Sequence, residues 1–142
     1  MNKILLIDEE EALVEIYRDV FEKKGDKFLT TYNIKEALDL TRSEKPDAVL
    51  LDIVIPLSEN VIAEQGYDYL RKVKSDPTTK ETPIIVFSNL DTPQDRKKCR
   101  ELGAAAFIFK RDCSPKEVLQ TVAEIIKKSR GGKKIKAAIK AI

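Results

Sequence analysis

The residues of this chain that could do chemistry stand at the ends of its apolar runs. Residues 48–56 read AVLLDIVIP, an apolar stretch with one carboxylate, Asp52, set into it. A carboxylate in an apolar interior is expensive unless paired or coordinated, so Asp52 either faces solvent from a strand end or meets a cation. Three further runs end in the same way: KILLID in Asp8, followed by Glu9; TPIIVFS in Ser88, followed by Asn89; and AAFIFK in Lys110. On one rim these would combine three carboxylates, a hydroxyl and an ammonium. Clustered carboxylates repel one another and raise each other's pKa, which a hard divalent cation such as Mg²⁺ relieves with oxygen ligands and retained waters. Such a metal also neutralises a phosphoryl group, and a carboxylate can accept that group as an aspartyl phosphate. A lysine and a hydroxyl would hold the remaining oxygens. Singly, each residue has a plainer reading. Asp8 and Glu9 suit a helix N-terminus, Ser88 a turn, and Lys110 an ordinary surface. Their joint occurrence at four strand ends is what points to a site.

The elements that must position them alternate along the chain. Strands are expected over 3–8, 27–32, 48–52, 82–88 and 105–110, each short and rich in Leu, Ile, Val or Phe. Between them, apolar residues recur at helical spacing, as in Leu13, Ile16, Tyr17, Val20 and Phe21, with Gly25 as a C-terminal cap. Asn33 with Glu36 opens a second helix, expected through Leu40, as a capping box. The third helix spans 66–74. Thr92, Pro93 and Asp95 start the fourth, which Gly103 closes, and Ser114, Pro115 and Glu117 start the fifth, expected through about Lys128. Five β-then-α units in series imply a doubly wound α/β fold, a five-stranded parallel sheet with helices on both faces. In such sheets ligands bind beyond the carboxyl ends of the strands, where Asp8, Asp52, Ser88 and Lys110 would stand.

The 142 residues suit one domain with a single sizeable core. The net charge of +2 hides an asymmetry. Seven of the 26 cations and none of the 24 acids lie beyond residue 126, so residues 1–126 carry a net −5 and the tail is basic. Cys99 and Cys113 have no metal-ligand spacing and the chain has no histidine, so two free thiols are expected. No signal-peptide core and no run of ~20 apolar residues appears, so a cytoplasmic protein is expected. Past Gly131 and Gly132, Ile135, Ala138, Ile139 and Ile142 would form one apolar stripe on a helix, beside Lys133, Lys134, Lys136 and Lys140. That tail, residues 129–142, suits an acidic partner, an anionic membrane or the protein's own acidic body; the plainer reading is a solvated tail.

The motifs LLIDEE, LLDIVIP, IIVFSN and FIFK, in this order and spacing, resemble the receiver domain of two-component response regulators over residues 1–128. The resemblance implies a flavodoxin-like sheet in the order 2-1-3-4-5. It implies Asp52 as phosphoacceptor, with Asp8, Glu9, Asp52 and the backbone carbonyl of Val54 holding Mg²⁺. Ser88 matches the switch hydroxyl, Lys110 the lysine of the site, and Phe107 the switch aromatic. Val54 and Leu90 stand where the family's side chains influence attack by water, and both are apolar, which implies slow loss of phosphate. Three departures stand out. Arg111 follows the lysine where Pro is usual, Asn89 replaces a small residue beside Ser88, and Gly66 follows Pro56 by ten positions rather than four, so that 57–65 reads as an insertion.

The implied function is a phosphorylation-dependent signalling switch, not an enzyme. It would receive phosphate from a sensor histidine kinase or histidine phosphotransfer protein, and act on a downstream protein through the surface of its fourth helix, fifth strand and fifth helix. With no output domain following, a stand-alone receiver that binds no nucleic acid directly is expected. One alternative is a pseudo-receiver, a binding module that takes no phosphate. Another is a metal-dependent phosphatase with an aspartyl-phosphate intermediate, which usually wants an acid/base carboxylate where Val54 stands.

Overall fold

The computed structural model describes residues 1–56 and 63–131. Strands β1 (Lys3–Ile7), β2 (Lys27–Thr31), β3 (Ala48–Leu51), β4 (Ile84–Ser88) and β5 (Ala106–Phe109) alternate with helices α1 (Glu11–Lys23), α2 (Ile34–Glu44), α3 (Gln65–Ser75), α4 (Pro93–Glu101) and α5 (Pro115–Arg130). The strands form one parallel sheet in the order β2-β1-β3-β4-β5. This is the flavodoxin-like order, which puts a crevice beyond the carboxyl ends of β1 and β3, where the winding changes direction.

Both faces of the sheet are covered, which explains strands that are apolar at every position rather than at alternate ones. Successive side chains point to opposite faces. Ile4 and Leu6 of β1 pack with Tyr17 and Phe21 of α1 and with Val118 and Val122 of α5. Leu5 and Ile7 pack on the other face with Ala37 of α2, Leu70 and Val73 of α3 and Cys99 of α4. Cys99 and Cys113 are both free thiols, and no described helix is long and apolar enough to cross a membrane.

Helix ends follow local chemistry where a cap is present. The Ser114 hydroxyl accepts from Glu117 N–H while the Glu117 carboxylate accepts from Ser114 N–H, a complete capping box, and Thr92 caps α4 through Asp95 N–H. At α2 only half of the expected box forms: the Asn33 side chain accepts from Glu36 N–H. Gly25 and Gly103 leave their helices at φ of 96° and 97°, a region that favours glycine. Helix α2 runs on to Glu44 rather than ending at Leu40, because Thr41 reaches the buried Tyr69 hydroxyl and Glu44 pairs with Lys3 and Lys27. Helix α5 runs through Arg130, whose guanidinium meets Asp47 just ahead of β3. The described chain thus leaves α5 at the edge of the sheet opposite the strands' carboxyl ends. The expected amphipathic tail, from 132 onward, lies outside the described residues.

Candidate functional site

Asp52 is the first residue past β3, where the sheet's pairing stops and the chain turns into the crevice. Its backbone N–H still donates to Ile7 O at 3.0 Å, so the strand ladder fixes its Cα, and the residue is only 9% exposed. Asp8 stands in the same position past β1, its N–H donating to Thr31 O at 3.0 Å and its Oδ1 accepting from Glu10 N–H at 2.9 Å. It is 2% exposed. Lys110, in the 3-10 turn Lys110–Asp112 that follows β5, inserts between the two acids. Its Nζ lies 3.2 Å from Asp52 Oδ2 and 2.6 Å from Asp8 Oδ2. The contact to Asp8 is an ion pair without the direction of a hydrogen bond, and Asp8 Oδ2 is buried with no hydrogen-bond partner. Ser88 closes β4, 1% exposed, its Oγ accepting from Leu90 N–H at 3.3 Å.

These groups line one cavity of about 460 Å³, together with Glu9, Val54, Asn89 and Leu90. A larger hollow of about 580 Å³ opens between the starts of α1 and α2, lined by Glu11, Glu15, Tyr32 and Glu36. Asp8 and Glu9 border both, but Asp52, Ser88 and Lys110 line the smaller one and not the larger.

Charge in the site is balanced by proximity. Burial pushes the Asp52 carboxyl above its ordinary value; the Lys110 ammonium pulls it back in part, and the neighbouring Asp8 charge pushes it up again. Burial alone would pull Lys110 down, but the charges of Asp52 and Asp8 outweigh it and leave the ammonium above its ordinary value. An excess of carboxylate around one buried cation is the electrostatic signature of the cleft.

Of the residues expected here, the structure gathers Asp8, Asp52, Ser88 and Lys110. Glu9 lines the cavity but is exposed, and among the described residues no three acidic, histidine or cysteine side chains assemble to hold a metal ion. All three expected acids line the one cavity, two of them, Asp8 and Asp52, buried. The lysine takes the space between Asp8 and Asp52, while Glu9 stays at the solvent edge. Phe107 is buried, 6% exposed, on the face of the sheet covered by α3 and α4, with the Arg96 guanidinium 5.8 Å from its ring centre. Arg111 continues the 3-10 turn that Lys110 begins. The expected insertion over 57–65 lies mostly outside the described residues, but its ends are pinned. Ile55 N–H donates to Ala63 O at 3.0 Å, and the Gln65 amide donates to the carbonyls of Ile55 and Pro56.

Sequence reasoning noted the displaced Gly66 but not its task. A Cβ there would stand 2.5 Å from Ile53 Cα and 2.6 Å from Asp52 O, so only glycine lets α3 press against the backbone of Asp52. The signal available in sequence was a glycine in the first turn of a helix, where it weakens the helix without an evident turn to serve.

A doubly wound sheet of this order, with paired acids and a lysine at its switch point, defines the class structurally. Residues 4–123 match the family model of the response regulator receiver domain, and the chain belongs to that family, the receiver domains of two-component signalling. It is similar to the polar-differentiation response regulator DivK of Brucella anthropi, 28% identical over 109 residues, covering 77% of this chain and 84% of DivK. In fold it is similar to a CheY-like response regulator receiver domain protein from Methanospirillum hungatei, with a TM-score of 0.81 at 20% identity over 93% of this chain and 98% of that one. It is likewise similar to the receiver domain of the sensor histidine kinase PA1611 from Pseudomonas aeruginosa, solved with magnesium coordinated in its active site cleft. That match has a TM-score of 0.75 at 18% identity, over 89% of this chain and 98% of that one.

Proposed function

We propose that this receiver domain is a phosphorylation-dependent switch that accepts a phosphoryl group on Asp52. The observation that carries the reading is the shared ammonium: Lys110 stands within 3.2 Å of Asp52 Oδ2 and 2.6 Å of Asp8 Oδ2 in a cleft open beyond the sheet. In the transfer, an Asp52 carboxylate oxygen forms the new P–O bond, and the donor's P–N or P–O bond breaks with its electron pair leaving on the donor. Lys110 then turns from the bare carboxylate to a phosphoryl oxygen, and the Ser88 hydroxyl donates to another.

The donor set fits a hard cation, because two buried carboxylates, Asp8 and Asp52, face a single ammonium and leave anionic oxygen in excess. Asp8 and Asp52 would hold Mg²⁺ with the Val54 carbonyl, and Glu9 would act from the rim. When bound, the metal neutralises charge on the transferring group. Phosphoryl contacts at Ser88 would bias the β4–α4 connection and Phe107 toward a second packing, a population shift that alters the α4–β5–α5 surface. The switch occupies residues 1–128, ahead of the basic 129–142 segment. It works in the cytoplasm between a histidine kinase or phosphotransfer protein and a downstream protein, without nucleic acid and without turning over other substrates.

The test is intact mass after incubation with acetyl phosphate and Mg²⁺. Wild type gains one phosphoryl group and Asp52→Asn gains none; an equal gain in the variant refutes the assignment. Turnover of the donor without a phosphoprotein would favour the phosphatase reading, and no reaction the pseudo-receiver.

A further inference from the structure

Two contacts from α4 meet at Tyr67, the residue after the glycine that presses on the Asp52 backbone. Tyr67 is 4% exposed, yet its hydroxyl crosses to α4 and donates to Asp95 Oδ1 at 2.8 Å. Asp95 is held in the first turn of α4 by Thr92, whose hydroxyl donates to Asp95 Oδ2 at 2.7 Å and accepts from Asp95 N–H at 3.1 Å. The Lys98 ammonium lies 4.1 Å from the centre of the Tyr67 ring, on the same helix one turn on. Burial and the bond to Asp95 push the phenol above its ordinary value, so it remains a protonated donor.

The start of α4 is therefore held from two sides. One is the short connection from Ser88, whose Oγ takes Leu90 N–H; the other is α3, through Tyr67. The start of α3 is the anchored side: Gly66 N–H donates to Ile53 O at 2.9 Å, and the glycine packs so closely on the Asp52–Ile53 backbone that it leaves no space for a Cβ. Any shift of the 88–92 connection that carries the first turn of α4 must break the Tyr67–Asp95 bond.

We propose that Tyr67 is a positioning residue of the switch. Its hydrogen bond to Asp95 latches α4 in the unphosphorylated packing and so sets how readily the acceptor site drives the change. The inference rests on the phosphorylation reading above. It assigns to this pair a resistance that phosphoryl binding at Asp52 has to overcome.

The test compares wild type with Tyr67→Phe, which removes only the hydroxyl and keeps the ring under Lys98. The probe is beryllofluoride with Mg²⁺. Beryllofluoride binds the Tyr67→Phe protein roughly three- to tenfold more tightly, the range of an ordinary net hydrogen bond and below that of one to a fully buried charged group, since Asp95 is only half-buried. Without ligand, the amides of Asp95 and Arg96 exchange faster in Tyr67→Phe, while those of β1 and β3 do not change. In an Asp95→Ala background the Tyr67→Phe effect on affinity disappears. Unchanged or weaker affinity in Tyr67→Phe overturns the latch, as does a full effect in the Asp95→Ala background. A wild-type protein that binds no beryllofluoride overturns the latch and the switch reading together.

Discussion

Gly66→Ala adds one methyl group at the point where α3 meets the acceptor's backbone, and the structure sets the size of the result. The new Cβ would lie 2.5 Å from Ile53 Cα, 2.6 Å from Asp52 O and 3.0 Å from Ile53 O. Carbon atoms pack best at about 3.5–4.0 Å, so the overlap exceeds roughly 1 Å, and the atoms in the way are backbone, unable to rotate aside. Relief requires α3 to lift, which stretches the Gly66 N–H bond to Ile53 O, now 2.9 Å. Alanine gains back at most about 1 kcal/mol of helix propensity. Overpacking costs about 1–3 kcal/mol, and the strained hydrogen bond adds about 1 kcal/mol. The steric term wins, and a net loss of about 1–3 kcal/mol is expected. Because the clash bears on Asp52 O, the rate of phosphorylation by acetyl phosphate should fall as well. Urea unfolding at constant m-value, with the phosphorylation rate measured on the same samples, checks both. A Gly66→Ala protein as stable as wild type and phosphorylated at the same rate refutes the close-approach argument.

Asp52→Asn should change how stability depends on pH in the absence of divalent cation. Burial holds the folded carboxyl above its ordinary value, so the folded protein binds more protons than the unfolded chain and stability falls as pH rises through the carboxylate range. Urea midpoints from about pH 4 to 7 should show the variant gaining on wild type as pH rises; parallel curves contradict this. Val54→Asn puts a group able to orient water where an apolar side chain lines the cleft. Phosphate loss followed by intact mass should speed up at least about threefold, a small part of the ~10²-fold that positioned groups contribute. Ser114→Ala dismantles the capping box of α5 and should lower stability by about 1 kcal/mol in urea while leaving the phosphorylation rate unchanged.

The parallel sheet and its rim could be read from sequence because they rest on local signals. Fully apolar strands imply burial on both faces, and the polar residue ending each one falls at the strand's carboxyl edge by connectivity alone. What could not be read depends on contacts between distant residues. The last turn of α2 is held by Lys3, Lys27 and Tyr69, none of which is its neighbour in the chain. Asp8 and Glu9 are adjacent acids of equal promise in sequence. The turn after β1 buries the first and leaves the second in solvent. Gly66 was visible as a displaced glycine, but the backbone it touches is fixed only once β3 and α3 pack. The bond from Tyr67 to Asp95 joins residues 28 apart on two helices whose packing no local pattern encodes.

The identity of the acceptor atom is tested most directly by chemical trapping. Protein phosphorylated by acetyl phosphate with Mg²⁺ is treated with borohydride, which reduces an aspartyl phosphate to homoserine, and the altered residue is located by peptide mass spectrometry. Homoserine at position 52 alone is the expected result. Reduction at Asp8, at Glu9 or at any other acid, with Asp52 intact, contradicts it.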